Sequence, residues 1–293
     1  MKYQSFKIDK NYSSIYYFLK NEGFSENFIT NLRKNWGNFV LNGTIVNIRA
    51  SLKCGDELKL NSNPNAKTSI MQCILPLDIV FEDEYYLLIN KPKGISCMPN
   101  RRYYQNNLAG AICYYMSQKD DSFVLRMLNR LDKDTTGIII IAKDSISYNK
   151  IKNIEKNYIA ICTGKIDKNL IINKKIKTEV KEGINTRKRK ISSDGQSATT
   201  FITPISYNNN YSLIKLNLIH GRTHQIRIHL SSIYHPLIGD ELYGKQSDFI
   251  DHTALICNEV CFYHPYLNKY LNFKIDLPND FRNLLKRVEL KIN

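Results

Sequence analysis

Residues 129–143 read Asn-Arg-Leu-Asp-Lys-Asp-Thr-Thr-Gly-Ile-Ile-Ile-Ile-Ala-Lys, a charged turn running straight into an aliphatic strand. The run at 138–142 has the length and composition of a buried strand and is far too short to cross a bilayer. It sets the carboxylate of Asp132 at the mouth of that strand, with Arg130 two residues before it. A carboxylate kept ionised by basic neighbours at the edge of a core is what a nucleophilic or base-catalytic aspartate requires.

The rest of the chain divides around this feature. Residues 12–60 hold two short helical patterns, one carried by Ile15, Phe18 and Leu19 and one running from Ser25 toward Trp36. They are followed by strand, Asn42-Gly43 turn and strand, a strong hairpin signal. Residues 1–62 are therefore read as a helix-and-hairpin module, 63–76 as a turn-rich linker and 77–293 as a second domain. In that domain strand patterns at 86–89, 137–142, 158–162, 199–203, 212–219 and 225–229 alternate irregularly with few long helices. Without regular βαβ repeats this predicts an α+β fold with a mostly antiparallel central sheet.

Charge narrows the partner. Lys and Arg number 42 against 27 Asp and Glu, a formal charge of +15, which favours a polyanion and nucleic acid above a membrane surface. Seven scattered cysteines without a CxxC pair suggest neither a disulfide framework nor a zinc site and fit a reducing cytoplasm. His220, His224, His229 and His235 match no metal-ligand spacing, so no metal and no cofactor is expected. The basic stretch 181–195, with Arg-Lys-Arg-Lys at 187–190, reads as a surface loop or hairpin open to two uses, solvated charge or phosphate contact.

A second cluster, Gly221-Arg-Thr-His-Gln-Ile-Arg-Ile-His229, reads as a strand placing Gln225, Arg227 and His229 on one polar face, with Arg222 just before it able to reach a buried carboxylate. Together with Asn129-Arg-Leu-Asp-Lys-Asp-Thr-Thr-Gly and Lys156-Asn-Tyr-Ile-Ala160, in that order, this cluster resembles the RluA-type ribosomal large-subunit pseudouridine synthase family. Asn90-Lys-Pro-Lys-Gly-Ile95, Gly195-Gln-Ser-Ala-Thr-Thr200, His235-Pro-Leu-Ile-Gly-Asp240 and Phe262-Tyr-His-Pro265 add to a likeness covering roughly residues 77–280. Residues 12–60 resemble the small alpha-L RNA-binding domain that often precedes this catalytic domain.

The resemblance implies a pseudouridine synthase fold and isomerisation of uridine to pseudouridine in structured RNA. It implies large-subunit rRNA as first substrate, with tRNA as the alternative; a cytoplasmic location is expected from the cysteine pattern, and a monomer as the simplest assembly. By similarity Asp132 is the catalytic aspartate, Arg222 the arginine paired with it, and Tyr158 the tyrosine that stacks on the target base and assists in removing the proton from carbon 5. Arg130 would enter the RNA stack as the nucleotide leaves, and Ile226 would pack against the base. Lys143, Lys156, His224, Gln225 and Arg227 are assigned to RNA contact. The chain departs from the family at Asn129, where many members have His, at Thr136 for Ser, at Cys97-Met98-Pro99 for a His-Pro pair, and at Ile256 for His. Two competing functions use the same residues: a non-catalytic RNA-binding assembly factor, and a nucleoside hydrolase that would release free uracil.

Overall fold

The structure is a computed structural model that describes residues 3–62, 69–100, 104–120, 122–181 and 184–291. In the amino-terminal module the order is β1 (Tyr3–Lys7), α1 (Ile15–Asn21), α2 (Glu26–Arg33), β2 (Phe39–Leu41), β3 (Thr44–Ile45) and β4 (Glu57–Asn61). Ser14 and Ser25 cap the two helices by accepting from the amides of Tyr17 and Phe28. Asn42 (φ 47°) and Gly43 (φ 84°) make the turn between β2 and β3, as an Asn-Gly pair demands. α2 stops at Arg33, earlier than the sequence pattern suggests, and Trp36 lies beyond it in solvent, 74% exposed. Ile15, Phe18, Leu19, Phe28 and Leu32 face Leu58 and Leu60 in a separate small core.

The larger part runs β5 (Asp78–Glu82), β6 (Tyr86–Lys91), α3 (Leu108–Ser117), β7 (Arg126–Met127), β8 (Thr136–Ala142), α4 (Ser145–Lys150) and β9 (Lys152–Thr163). It continues through β10 (Leu170–Asn173), β11 (Ile176–Lys181), β12 (Ile184–Ile191), β13 (Thr199–Tyr207) and β14 (Tyr211–Leu218). The last elements are α5 (Gln225–Ser231), β15 (Leu255–His264), β16 (Lys269–Lys274) and α6 (Asn279–Arg287). A ten-stranded sheet in the order β10-β13-β14-β9-β15-β8-β6-β5, with β7 on β8 and β16 on β15, forms the centre. Among the described residues of this sheet only the pair of β15 with β8 is parallel, so the expected mostly antiparallel α+β fold is what forms. β11 and β12 stand apart as a two-stranded hairpin, the form taken by the basic stretch.

Every residue of β8 is buried, which explains why its sequence is a continuous apolar run instead of an alternating one. The main core takes residues from both faces of β6 and β8, among them Leu88 and Ile139, and packs Ile112 and Phe262 with them. A second is made by Phe281 and Leu284 of α6 against Ile161, Leu213 and Ile256. The two modules meet at α4. Ile146 is buried in the amino-terminal core, Ser145 donates from its amide and hydroxyl to Ser62 O, and Lys150 reaches Glu22 at 3.3 Å. Within the expected linker, residues 63–68 lie outside the described residues. Residues 69–76 carry no helix or strand and run along α3, where Cys73 donates its amide to Gly110 O.

The segment at 225–229 corrects the sequence reading: it is the start of a helix, not a strand. Gln225 and His229, four residues apart, both bond the Thr200 hydroxyl, at 3.2 and 2.8 Å, which is the i, i+4 relation of a helix. Arg227 consequently leaves the opposite side, so the three polar residues share no face.

Gly137 (φ 119°) sits at the parallel seam, where an added Cβ would come within 2.2 Å of the Cys257 carbonyl oxygen. Gly137→Ala is expected to cost about 2–4 kcal/mol, through an L side chain at positive φ and overpacking against rigid backbone. Chemical denaturation, read as a lower midpoint at unchanged slope, checks this.

Candidate active site

Asp132 occupies the turn between β7 and β8, where Thr135 N–H donates to its carbonyl. Three neighbours hold that turn. The Asn129 side chain donates to Ile138 O and accepts from Ile140 N–H, so it stands in for a strand partner along β8. Cys97 Sγ contacts Leu131 O at 3.1 Å and accepts from Leu131 N–H. Both are positions where the chain departs from the family it resembles, and both side chains brace the turn. Lys91 is wholly buried and donates from Nζ to the carbonyls of Pro92, Ile95 and Lys133 at 2.8–3.0 Å. Burial pushes the Lys91 ammonium down to about 8, against the opposing pull of Cys97, Asp134 and Asp132.

The guanidinium that meets Asp132 is Arg227, not Arg222 as the resemblance implied. Arg227 Nη1 lies 3.4 Å from Asp132 Oδ2. Its other two nitrogens grip Asp240 as a fork, Nε to Oδ2 at 2.8 Å and Nη2 to Oδ1 at 2.7 Å. Asp240 is fully buried and also accepts the amides of Leu242 and Tyr243. Burial alone would lower the Arg227 pKa, but Asp240 and Asp132 together hold it above the ordinary range, so the cation is permanent. Arg222 lines the same cavity, with Nε donating to Ser197 O at 3.1 Å and its amide to the Gln225 side chain. Only the helical form of 225–231 distinguishes the two arginines: the strand reading put Arg227 on the wrong face.

The cavity beside Asp132 is walled by Leu131, Tyr158, Leu218, Ile226 and Leu255, with Arg130, Arg222 and Arg227 around it. Tyr158, on β9, is 6% exposed, and burial together with its Cys257 hydrogen bond keeps its phenol protonated far above neutrality. Ile226 reaches this wall from α5. A broader groove of about 990 Å³ shares Arg130, Asp132, His224 and Arg227 and extends past Lys133, Arg189 and His252. Asp132 is thus open from the outside, 24% exposed at its side chain. Arg130 is exposed at the junction of cavity and groove.

His224 caps α5 in the left-handed region (φ 57°), a strained placement for a side chain with a Cβ. Its Nε2 is 3.8 Å from Asp132 Oδ2, and burial lowers its pKa despite that carboxylate. Other expected RNA contacts are spent inside the protein. Lys143 Nζ pairs with Glu82 at 2.7 Å in a nearly closed site, and that pairing removes it from phosphate contact. Gln225 is 2% exposed and donates to Thr199 O and Thr200. Lys156 lies on β9 opposite Val260, outside the lining of both cavity and groove. Asp240 and Tyr243 were missed among the site residues, although both lie in segments that stand out in the sequence; their role depends on contacts made only in the fold.

The profile of the RNA pseudouridylate synthase family matches residues 85–232, which span Asp132, Tyr158 and α5. The RNA pseudouridine synthase YhcT of Bacillus subtilis is 34% identical over 256 residues, 84% of this chain and 82% of YhcT. Ribosomal large subunit pseudouridine synthase D of Zymomonas mobilis is 34% identical over 233 residues, 72% of this chain and 73% of that one. In fold, human RNA pseudouridylate synthase domain containing 4 superposes with a TM-score of 0.58 at 22% identity, covering 73% of this chain and 93% of the human one. Motif order, sheet topology and these likenesses agree: the chain belongs to the RNA pseudouridylate synthase family.

Proposed function

We propose that this chain isomerises uridine to pseudouridine in structured RNA, with large-subunit rRNA as its substrate, acting in the cytoplasm as a monomer. The observation that carries the chemistry is the Asp132 carboxylate, exposed to a groove, braced from behind by Arg227 and facing a cavity with an aromatic and aliphatic wall. The substrate class rests on the likeness to a ribosomal large subunit pseudouridine synthase and on the +15 charge. Residues 1–62, which carry their own core, would act as the RNA-binding module, with 63–76 as the connection to the catalytic domain 77–293.

In this reading the target nucleotide leaves its stack at a cost of about a few kcal/mol, and Arg130 fills the vacancy. The uracil ring enters the cavity against Tyr158 and Ile226, and stacking on the tyrosine returns about 1–3 kcal/mol. Asp132 then attacks the uridine or its ribose as the glycosidic bond breaks. The base turns within the walls of Leu218 and Leu255, carbon 5 bonds to the ribose as the bond to Asp132 breaks, and the carbon 5 proton passes to the freed Asp132 carboxylate. Arg227 keeps Asp132 aimed through this sequence, and Asp240 keeps Arg227 from turning. Tyr158 acts as a neutral phenol, because its burial opposes a phenolate.

Asp132→Asn is expected to lower pseudouridine formation by at least about 10³-fold with RNA binding retained. Carbodiimide labelling of RNA from cells lacking the gene, incubated with each protein, reads the difference; full activity in the variant would leave the chain an RNA-binding factor, and free uracil would make it a hydrolase. Arg227→Lys is expected to cost about 10²–10³-fold, because an ammonium cannot fork onto Asp240 while reaching Asp132. Arg222→Lys should cost less than about tenfold by the same comparison of mutant rates, and the reverse order would restore Arg222 as the partner. Lys91, buried and shifted down to about 8, loses its third proton as pH rises through that value and with it one of its three bonds, a set that ties the Asp132 turn at Lys133 O to Pro92 and Ile95. The rate is therefore expected to fall above pH 8 in the native protein, whereas Lys91→Met should be slower and flat between pH 7 and 9, as pH profiles of single turnovers would show.

A further inference from the structure

The β11–β12 hairpin stands outside the main sheet and is attached to the rest of the protein, among the described residues, at two places. At its base Ile176 exchanges backbone hydrogen bonds with Gln196. Farther along, Ile176 packs with Ala198, Ile228 and Tyr243 in a small apolar cluster of its own. On β12 the Arg189 amide, turned away from β11, donates to the hydroxyl of Tyr243 at 2.6 Å. The same hydroxyl lies 3.0 Å from His224 Nδ1. The ring of Tyr243 lies 5.4 Å from the Arg227 guanidinium and makes an edge contact with His224.

One phenol therefore touches three things: the backbone of a basic hairpin, the strained histidine beside Asp132, and the cation that pairs with Asp132. Since the Tyr243 oxygen already accepts from Arg189, its own proton is free to go to His224 Nδ1. That arrangement makes Nδ1 the acceptor and leaves the proton on Nε2, the nitrogen that faces Asp132 at 3.8 Å. Arg189 lines the groove that opens onto Asp132, and Lys188 and Lys190 beside it are exposed. A phosphate backbone lying in the groove would therefore pull on the strand that the Tyr243 hydroxyl holds.

We infer that Tyr243 is a positioning residue that couples the β11–β12 hairpin to the catalytic pair, so that RNA held by the hairpin sets His224 and Arg227 against Asp132. The inference rests on the RNA-isomerase reading above and adds a route by which substrate engagement reaches the reacting carboxylate. Tyr243 touches no reacting atom. Its hydroxyl fixes the tautomer of His224 and its ring supports Arg227, while the hairpin supplies the strain that RNA binding changes.

Tyr243→Phe separates these parts, because it keeps the ring and deletes the hydroxyl. With an RNA on which the native chain forms pseudouridine, the variant is expected to turn over about tenfold more slowly with KM changed less than about threefold, a kcat-specific loss. The pair Lys188→Ala/Lys190→Ala should raise KM and lower kcat in the native background but raise KM alone when combined with Tyr243→Phe, since the route is already cut. Arg189→Pro, which removes the hairpin amide at an edge position, should reproduce the Tyr243→Phe loss relative to Arg189→Ala and supplies the same test if Tyr243→Phe folds poorly. Unchanged kcat in Tyr243→Phe, or hairpin and Tyr243 effects that simply multiply, overturns the coupling. Absence of pseudouridine from the native reaction removes both readings together, so the two failures are told apart.

Discussion

One guanidinium shared by two carboxylates organises this protein. Arg227 is gripped on two nitrogens by the buried Asp240 and offers its third to Asp132 at the groove. The division is asymmetric: short bonds and complete burial on one side, a 3.4 Å approach and partial exposure on the other. Asp240 offsets the cost of burying Arg227, so the cation does not need Asp132 for its own stability. Asp132 is left with the field of a fixed positive charge and with lone pairs still available to a substrate. A carboxylate locked in its own fork would be a poor nucleophile, and one with no cation nearby would have no fixed orientation.

The architecture around this pair is built to keep it still. Asp132 enters from the turn before β8, the most deeply buried strand, and that turn is tied from behind by Lys91, Cys97 and Asn129. Arg227 enters from α5, whose other side is pinned through Gln225 and His229 to Thr200 of β13. Two rigid elements from distant parts of the chain thus bring their charged groups together over the sheet. The parallel seam between β15 and β8 brings the start of β15 beside the start of β8, and Gly137 is the residue that lets the two backbones approach.

Much of this was legible before any coordinates. The helix start at Ser25, the Asn42-Gly43 hairpin, the buried β8 and the α+β class follow from local rules of pattern and turn chemistry, and each formed where expected. The misreadings have one physical origin. Residues 225–229 alternate polar and apolar types at a period of two, and a seven-residue helix is too short for its own period to overrule that pattern. Once the strand reading was taken, Arg222 seemed the better placed arginine. Lys143 looked like surface charge because nothing local to it reveals Glu82, sixty-one residues earlier in the chain and 2.7 Å away.

The amino-acid order alone determined which side chains could carry chemistry and in what family of fold, because an aspartate at the mouth of an apolar strand and a basic cluster far downstream are local facts of composition and spacing. Which arginine faces Asp132, what holds that arginine, and which lysines remain free for RNA were decided only by the tertiary structure. Those outcomes depend on the direction in which α5 projects Arg227 and on charges that meet across more than ninety residues of chain, and no short-range pattern encodes either.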